Sequence, residues 1–270
     1  MTRSVTVSRD LSALLRPEIV EMVRLGSPHD GGYVAPVAAL RNSVSVVSLG
    51  LKDDWSFEQA VVKRQPGAVV HSYDPTVNLA SMLASLRLGL RSLVTFRDLT
   101  LWGRSKVIAS YFSFFRGERR RHYREWVKSA SAPEDSTSIS EVLNRIDKNL
   151  DVLLKVDIEG DEYGVLDDFM ANPRAHNIVG IFVEYHDLDT RWQDFVDLQT
   201  RLLKDYHLVH VHANNINKVM TDRGIPRVLE MSYLRRGIIQ PVGQRSHLPL
   251  PGLDFPNDRG REDYDFTFVT

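Results

Sequence analysis

Short apolar runs rich in valine and isoleucine recur along the chain, and segments with helical spacing separate them. The runs are continuous rather than alternating, which favours strands that are covered on both faces. Intervening helices suit right-handed crossovers between parallel strands. The sequence therefore predicts a doubly wound α/β fold with a mostly parallel sheet and helices on both faces. The candidate strands are Ser45–Leu49, Val69–Tyr73, Leu93–Phe96, Val152–Val156, Ile178–Glu184, His207–His212, Val228–Leu234 and Asp265–Val269.

The composition suits one globular domain, because 43% of the 270 residues are hydrophobic and 26% are charged. A formal net charge of −1 gives no overall attraction to nucleic acid or to an anionic membrane. The absence of cysteine excludes disulfides, thiolate nucleophiles and cysteine-ligated zinc. No apolar stretch is long enough for a signal peptide or a membrane span, so we expect a cytoplasmic protein.

The stretch LLKVDIEGDEYGVL, residues 153–166, places acidic residues where the fourth candidate strand leaves the core. Ligands of open α/β sheets bind outside the carboxyl ends of the strands, so Asp157 and Glu159 are candidate functional residues. Asp161 and Glu162 have a simpler explanation, since acidic residues complement the dipole in the first turn of a helix.

The first strand is followed by Gly50, a helical segment and a second strand that ends before Asp74. This is the layout of a nucleoside-binding unit, in which a carboxylate after the second strand accepts hydrogen bonds from a ribose. The G-x-G-x-x-G pattern of dinucleotide sites is missing. Lys52, Asp53 and Asp54 occupy its place. The carboxylates of Asp53 and Asp54 suit a cationic ligand such as S-adenosylmethionine better than a diphosphate.

Several ordered motifs resemble the FkbM-type, class I S-adenosylmethionine-dependent methyltransferases, in the branch that begins with a D-G-G-Y segment. They are RLGSPHDGGYVAP, SLGLKDDWSFE, SYDPT, LKVDIEGDEYGVL, VEYHDL, HVHANN, VLEMSYLRR and LPGLDFPNDRGRED, spread over residues 22–268. The resemblance implies a Rossmann-like sheet of seven strands, S-adenosylmethionine as cofactor, and methylation of hydroxyl oxygens on sugars, polyketides and other natural products. It also implies roles by matching position. Asp30, Gly31, Gly32, Gly50, Phe57 and Asp74 would face the cofactor, and Asp157, Glu159, Glu184 and His186 would face the substrate.

Two segments stand apart within the single domain that we predict. Residues 1–40 are expected to form a helical extension that covers the cofactor. Residues 104–138 form an insertion in which aromatic residues precede the basic cluster around Arg119, Arg120 and Arg121. The insertion has five interpretations: a helix with a solvated basic face, a lid over the substrate cleft, a grip on an anionic glycan or nucleotide-sugar, a contact between two copies, or a peripheral membrane contact.

Histidines supply the remaining candidates. His210, His212 and Asn214 alternate along one strand and form either a polar wall of the site or a hydrogen-bonded strand end. His186 is the preferred general base, because its ordinary pKa lies closest to neutrality and it should point with Glu184 towards Asp157. Alternatively Asp157, Glu159, Glu184 and His186 hold Mg²⁺ or Mn²⁺, with Asp157, Glu184 and His186 as the main ligands.

These observations leave three hypotheses for function. The first is an O-methyltransferase acting on a sugar, a glycan or a glycosylated metabolite. The basic insertion suggests that this acceptor is anionic. The second is a nicotinamide-dependent oxidoreductase that modifies sugars, which the missing G-x-G-x-x-G disfavours. The third is a cofactor-binding scaffold without turnover.

Overall fold

A computed structural model describes residues 3–42, 44–77, 100–129, 136–216 and 219–269, with side chains from residue 107 onward in the helix that begins at Thr100. A seven-stranded sheet forms its centre. The strands are, in spatial order, β11 (Tyr206–Ala213), β12 (Leu229–Arg235), β10 (Ile178–Tyr185), β9 (Asp151–Val156), β4 (Val44–Leu49), β5 (Val69–Tyr73) and β6 (Arg120–Tyr123).

Neighbouring strands of this sheet are parallel except around β12, which runs antiparallel to both β10 and β11. The order reverses direction at the junction of β4 and β9, which is where ligands bind in doubly wound sheets. The predicted mostly parallel α/β fold is confirmed, and the sheet has the seven strands that the resemblance implied.

Helices cover both faces of the sheet. One face packs against α1 (Arg9–Leu15), α4 (Ile139–Asn144), α5 (Glu162–Met170) and α6 (Trp192–Asp205). The other packs against α2 (Ser56–Arg64), α3 (Thr100–Phe114) and the hairpin of β2 (Met22–Leu25) and β3 (Tyr33–Pro36). Successive strand residues alternate between the two apolar cores, so β9 sends Leu154 to the first and Leu153 to the second. This arrangement explains why the strands are apolar throughout.

Besides the β2–β3 hairpin, the described residues form two further small sheets. The strand β1 (Arg3–Val7) pairs in parallel with β14 (Tyr264–Phe268), which also pairs with β13 (His247–Leu248). The strands β7 (Trp126–Lys128) and β8 (Ser136–Ser138) form a short pair. Two 3-10 turns, Val37–Leu40 and Pro173–Asn177, complete the elements. No described helix is long and apolar enough to cross a membrane.

Three expectations for individual elements need comment. The candidate strand Leu93–Phe96 lies outside the described residues. The last candidate strand exists as β14, but it belongs to the small sheet with β1 rather than to the central sheet. The segment 1–40 was expected to be helical, yet it contains β1, β2 and β3 besides the short helix α1.

The insertion 104–138 contributes an element to the central sheet. Its first part lies in α3, but the basic cluster does not continue as a helix. Arg120 and Arg121 belong to β6, the edge strand that pairs with β5, and Arg119 immediately precedes it. The helical interpretation of this cluster is therefore wrong. The arginines of the cluster lie on or next to the edge strand of the sheet instead.

Candidate functional site

The carboxyl ends of β4, β9 and β10 meet at one edge of the sheet. Leu49 pairs with Val156, and Val156 is followed at once by Asp157. Glu184 lies near the end of β10, and His186 follows that strand. The antiparallel strand β12 begins at the same edge and places Glu230 directly opposite Glu184. An acidic cluster results, which consists of Asp30, Asp157, Glu159, Glu162, Glu184 and Glu230.

His186 is held by Glu162, the fully buried acidic residue of the first turn of α5. Glu162 Oε1 lies 2.7 Å from His186 Nδ1, and the same carboxylate accepts the backbone N–H of Gly160 at 2.9 Å. His186 Nε2 therefore turns towards Glu159 and Glu184, whose nearest oxygens are 3.5 and 3.8 Å away. Glu162 thus fixes the orientation of the imidazole.

The charge of His186 follows from these neighbours. Burial alone lowers its pKa, but the hydrogen bond with Glu162 and the negative charges of Glu184 and Asp157 outweigh burial and raise the pKa to about 9. The imidazole is consequently protonated at neutral pH. This corrects the choice of His186 as general base, which relied on its ordinary pKa near neutrality.

Asp157 has a carboxylate oxygen that no described hydrogen-bond donor satisfies. Its Oδ1 is buried and has no hydrogen-bond partner among the described residues. A buried carboxylate oxygen without a donor is costly, so a group that supplies a proton or a positive charge should bind there. The backbone of Asp157 is firmly held, because its N–H donates to the carbonyl of Leu49 at 2.9 Å.

Glu159 faces the opening of the cluster. Lys52 Nζ lies 2.5 Å from its carboxylate, and both side chains are more than half exposed. Burial raises the pKa of Glu159, but the hydrogen bond and charge of Lys52 outweigh burial and lower it. Glu159 has a positive φ of 55°, a conformation uncommon outside glycine.

Glu184 and Glu230 form a like-charged pair across two strands. Asn214 donates to Glu184 at 2.8 Å, and Asn257 donates to Glu230 at 2.6 Å. Burial, followed by the charges of Asp157 and Glu230, raises the pKa of Glu184 well above its ordinary value. Burial and the charge of Glu230 likewise raise the pKa of Asp30. Acidic groups are thus concentrated on this side of the site, and their raised pKa values reduce the negative charge that they carry.

Oxygen and nitrogen ligands come together in two groups. Single ligand atoms of Asp157, Glu159 and His186 lie within 4.8 Å of one another, and so do those of Asp30, Glu184 and Glu230. The metal set expected from the sequence joined Asp157 and His186 with Glu184, whereas the structure groups Glu159 with them. A protonated His186 opposes ligation, because a metal needs the neutral imidazole.

The residues assigned to the cofactor have diverse environments. Phe57 is 1% exposed and packs in the core against Tyr33 and Phe182, at ring distances of 5.8 and 5.1 Å. It therefore lies beneath the site and not on its surface, which corrects its assignment as a cofactor contact. Added Cβ atoms at Gly31 and Gly32 would meet protein atoms at 2.4 and 1.9 Å, so these glycines are required by packing within the protein.

Asp74 follows β5, as the nucleoside-binding layout predicts. Its Oδ2 accepts the backbone N–H groups of Leu51 and Lys52 at 2.9 and 2.8 Å, and its Oδ1 accepts that of Thr76 at 2.8 Å. Burial raises the pKa of Asp74, but these hydrogen bonds outweigh burial and lower it. Asp74 thus stays ionised and organises the turn after β4. Because the hydroxyl of Thr76 also donates to Oδ1, the two oxygens accept four hydrogen bonds, and a ribose hydroxyl would compete with one of these donors.

Gly50 packs against the opposite strand end instead of a ligand. An added Cβ would lie 1.8 Å from the carbonyl oxygen of Asp157. The Gly50 carbonyl in turn accepts Lys155 Nζ at 2.9 Å. The sequence suggested that Gly50 lets a ligand approach the backbone. In the structure the small size of Gly50 instead permits close contact between the ends of β4 and β9.

Replacing Gly50 with alanine should destabilise the protein by about 3 kcal/mol, because it adds a clash with backbone to the strain of a positive φ. Gly237 is the matched control, since its φ of 85° equals that of Gly50 and no atom lies within 4 Å of an added Cβ. Gly237→Ala should cost only the strain, about 1 kcal/mol. Denaturant unfolding measures both. Equal losses in the two variants would contradict the contact with Asp157.

His212 and Asn214 do not form a common wall towards an acceptor. His212 is buried between Glu230 and Asp263, at 3.3 and 3.2 Å, and these partners outweigh burial to raise its pKa. It lies behind the acidic cluster and joins β11 to the C-terminal segment. Asn214 reaches the cluster through Glu184. His210 binds Asp254 at 3.0 Å, so both histidines have structural partners.

The N- and C-terminal segments enclose the cluster from one side. The ring of His29 lies 2.7 Å from the carbonyl of Pro256, and Arg24 donates to the carbonyl of Leu253 at 3.0 Å. Asn257 then reaches Glu230. Sequence reasoning assigned Glu162 to the helix dipole and overlooked Glu230. The signal for Glu230 was a lone carboxylate inside the otherwise apolar run VLEMSYL.

Comparison with solved structures finds 32 similar chains. One is a fibrillarin/Nop5p complex, at 7% identity and a TM-score of 0.37, with 72% of this chain and 74% of that chain covered. Another is spermidine synthase from Thermotoga maritima, at 10% identity and a TM-score of 0.40, with 76% and 57% covered. A third is precorrin-6y C5,15-methyltransferase from Geobacter metallireducens GS-15, at 12% identity and a TM-score of 0.35, with 73% and 84% covered.

A search of curated protein sequences returns no match. A family model, described as the methyltransferase FkbM domain, matches residues 39–222. The matched range contains the whole crossover from β4 to β11, with Asp74, Asp157, Glu162, Glu184 and His186 at its carboxyl edge. The chain belongs to the FkbM methyltransferase family.

Proposed function

We propose that the protein is an S-adenosylmethionine-dependent O-methyltransferase that acts on a hydroxyl of a sugar, a glycan or a glycosylated metabolite. Family membership supports methyl transfer. The observation that carries the oxygen specificity is the unpartnered, buried Oδ1 of Asp157 at the carboxyl ends of β4 and β9. A carboxylate in this position is suited to accept a proton from a hydroxyl.

The acidic cluster fits the methyl donor chemically. S-adenosylmethionine supplies an electrophilic methyl carbon when it is bound, and it carries positive charge on its sulfonium and amino groups. Asp30, Glu184 and Glu230 bring three carboxyl groups together on one side of the site, and a bound cation would favour their ionised forms. Asp74 lies after the neighbouring strand β5, where a ribose is expected. We therefore assign Asp74 to the ribose and Asp30, Glu184 and Glu230 to the cationic end of the donor.

Asp157 is the proposed proton acceptor. The acceptor oxygen would bond to the methyl carbon as the carbon–sulfur bond of the donor breaks, S-adenosylhomocysteine would leave, and the carboxylate of Asp157 would take the hydroxyl proton. His186 stays protonated beside Glu162 and Glu159 and offsets part of the negative charge around Asp157. Glu184 keeps a raised pKa and thus adds less charge than a free carboxylate would. These residues supply orientation and proton acceptance, which is most of what an in-line displacement requires of a protein.

A divalent ion is the alternative route to hydroxyl activation. Asp157, Glu159 and His186 would hold Mg²⁺ or Mn²⁺, and the ion would lower the pKa of the acceptor hydroxyl. This route requires His186 to lose its proton, although the hydrogen bond with Glu162 raises the pKa of His186. We therefore favour Asp157 as the proton acceptor, and the response to a chelator separates the two routes.

The proposed function is tested with S-adenosylmethionine that carries an isotopic methyl label, against a panel of sugars, nucleotide-sugars and glycans. We expect label in a product from which alkaline treatment does not release it, as in an ether. Label recovered only in carboxylate esters or N-methyl groups would contradict the oxygen specificity of the proposal. Failure to transfer label to any sugar-containing acceptor, with transfer to another class of molecule, would contradict the acceptor class.

Replacing Asp74 with alanine should weaken S-adenosylmethionine binding by about 1.5–3 kcal/mol for each ribose hydrogen bond lost. Because Asp74 also orders the turn after β4, Thr76→Val serves as control, since it removes one donor to Asp74 and keeps the carboxylate. Calorimetry should find near-normal affinity in Thr76→Val. Unchanged affinity in Asp74→Ala would remove Asp74 from the cofactor site.

A further inference from the structure

A basic-aromatic groove runs between the end of α3 and the edge strand β6. Its volume is about 390 Å³, within the usual range for small-molecule sites. No residue of the acidic cluster lines it. Its main lining side chains are Tyr111, Phe112, Phe115, Arg120, Arg121 and His122.

One wall of the groove is aromatic. Tyr111 supports both phenylalanines, with ring centroids 5.4 Å from Phe112 and 4.9 Å from Phe115. Phe112 is nevertheless 54% exposed. A large apolar ring that is supported on one side and open on the other offers a surface for a planar ring of a ligand.

The facing wall carries positive charge without a partner. The guanidinium of Arg120 lies 5.2 Å from the ring of Phe114, and Arg121 Nε donates to the carbonyl of Glu118 at 3.1 Å. Within the described part of the chain, neither arginine pairs with a carboxylate. Arg145 and Arg201, by contrast, each form a salt bridge with an acidic residue. The planes of Arg120 and Arg121 are thus held while their charges remain available to an anion.

Hydrogen bonds connect the groove to the turn after β5. His122 Nε2 lies 2.8 Å from the carbonyl of Asp74, so this nitrogen carries the proton. Its Nδ1 must then accept from the hydroxyl of Tyr111, 2.6 Å away. Burial lowers the pKa of His122, which leaves the ring neutral. The positive charge of the groove therefore comes from the arginines, and the groove adjoins the edge of the sheet that bears the candidate active site.

We propose that the basic-aromatic groove binds a nucleoside diphosphate, with the base against Phe112 and the phosphate oxygens at Arg120 and Arg121. Arg120 and Arg121 are successive residues of the edge strand and leave it on opposite sides, so a diphosphate that lies along the edge would meet both guanidinium groups, and a nucleobase matches the open ring face. If the proposed methyl transfer to sugars also holds, this ligand is the carrier of a nucleotide-linked sugar acceptor. Binding itself does not depend on that function.

The test is calorimetry on the full chain with UDP, uridine and inorganic pyrophosphate. UDP should bind more tightly than either fragment, and its affinity should fall as salt is added. The double variant Arg120→Gln, Arg121→Gln should weaken UDP and pyrophosphate by about 10-fold or more and leave uridine unchanged. Phe112→Ala should weaken UDP and uridine but not pyrophosphate.

Arg116→Gln is the matched control, because Arg116 belongs to the same basic run but does not line the groove. It should bind UDP normally. Absence of saturable UDP binding would overturn the proposal, as would an equal loss in Arg116→Gln. A parallel loss of S-adenosylhomocysteine affinity in the double variant would assign the groove to the cofactor. Tighter binding of an oligonucleotide than of UDP, with the same sensitivity to the variants, would assign it to nucleic acid.

A methyl-transfer assay then distinguishes the sources of the diphosphate. If the groove holds the carrier of the acceptor, the double variant should raise the KM for a nucleotide-sugar about 10-fold or more without changing kcat. A free nucleotide at this site would instead leave that KM unchanged while calorimetry still detects UDP. This second result would contradict the role as carrier and keep the binding site. Failure of methyl transfer in the unaltered protein would contradict the proposed function alone.

Discussion

Replacing Asp157 with asparagine should lower kcat by about 100-fold or more, while the fold and the affinity for S-adenosylmethionine change little. The amide keeps the size and the backbone contacts of Asp157 but cannot take a proton. Oδ1 has no hydrogen-bond partner among the described residues, so the main interaction that the substitution removes is the charge that Asp157 presents to His186 and Lys52. Single-turnover kinetics measure the chemical step, and calorimetry measures the cofactor affinity.

Asp161 provides the matched control in the same turn. Its carboxylate lies 3.4 Å from Lys128 and makes no capping hydrogen bond, so Asp161→Asn should change stability by about 0.3–1 kcal/mol and leave turnover nearly intact. Turnover should also survive EDTA. Loss of turnover that Mg²⁺ or Mn²⁺ restores would favour the metal route. Full turnover in a folded Asp157→Asn variant would contradict a role in catalysis. The acidic residues between β9 and α5 would then only complement the helix dipole.

Replacing Glu162 with glutamine should lower kcat by about 10- to 100-fold at pH 8, because His186 loses the group that orients it and holds its proton. The unaltered protein should lose activity as the pH rises through about 9, where His186 deprotonates. Without the carboxylate the pKa of His186 falls, and this loss should move to lower pH. Activity of the variant should therefore recover in part on acidification. Steady-state rates from pH 6 to pH 10 measure the shift.

The sign of the stability change follows from the same pair. A raised pKa in the folded state stabilises the protein below the ordinary pKa of histidine, and this stabilisation is lost as the pH rises through about 9. Glu162→Gln should reduce that dependence, while the charges of Glu184 and Asp157 keep a part of it. Glu141 is the control, since it also lies in the first turn of a helix but binds Ser138. A pH profile that is unchanged in Glu162→Gln would reduce Glu162 to a structural role.

Strands that are buried on both faces were predictable from the sequence, and Val69–Tyr73 was predicted with its observed bounds. The edge strand β6 was not, because RRHY has no apolar run, and its side chains are satisfied by stacking on aromatic rings and by solvent. Asp265–Val269 was recognised as a strand, but apolar periodicity does not say which sheet a strand joins. Its partner, β1, lies at the other end of the chain.

The site residues also divide into those that were predictable from the sequence and those that were not. Asp157, Glu184 and His186 were predictable because strand ends of parallel neighbours meet at one edge. Glu162 was not, since an acidic residue in a first helical turn is explained equally well by the helix dipole, and only its contact with His186 separates the explanations. Phe57 matched a motif by position alone, and its burial depends on packing partners that are distant in sequence. Asp30 was assigned through the D-G-G-Y segment, and Glu230 had only a weak local signal. Asn257 reaches the site by a tertiary contact with Glu230 that no local pattern encodes.

The close contact between Gly50 and Asp157 bears on how the enzyme should respond to heat. Backbone hydrogen bonds continue past the last residues of three adjacent strands, from Gly50 to Tyr73 and from Asp157 to Leu49, both at 2.9 Å. The backbone that carries Asp157, the proposed proton acceptor, therefore cannot loosen unless the centre of the sheet separates. Many enzymes lose activity on warming before they unfold, because their sites lie on mobile loops. Here inactivation and global unfolding should coincide, and the amide proton of Asp157 should exchange with solvent as slowly as those of the core.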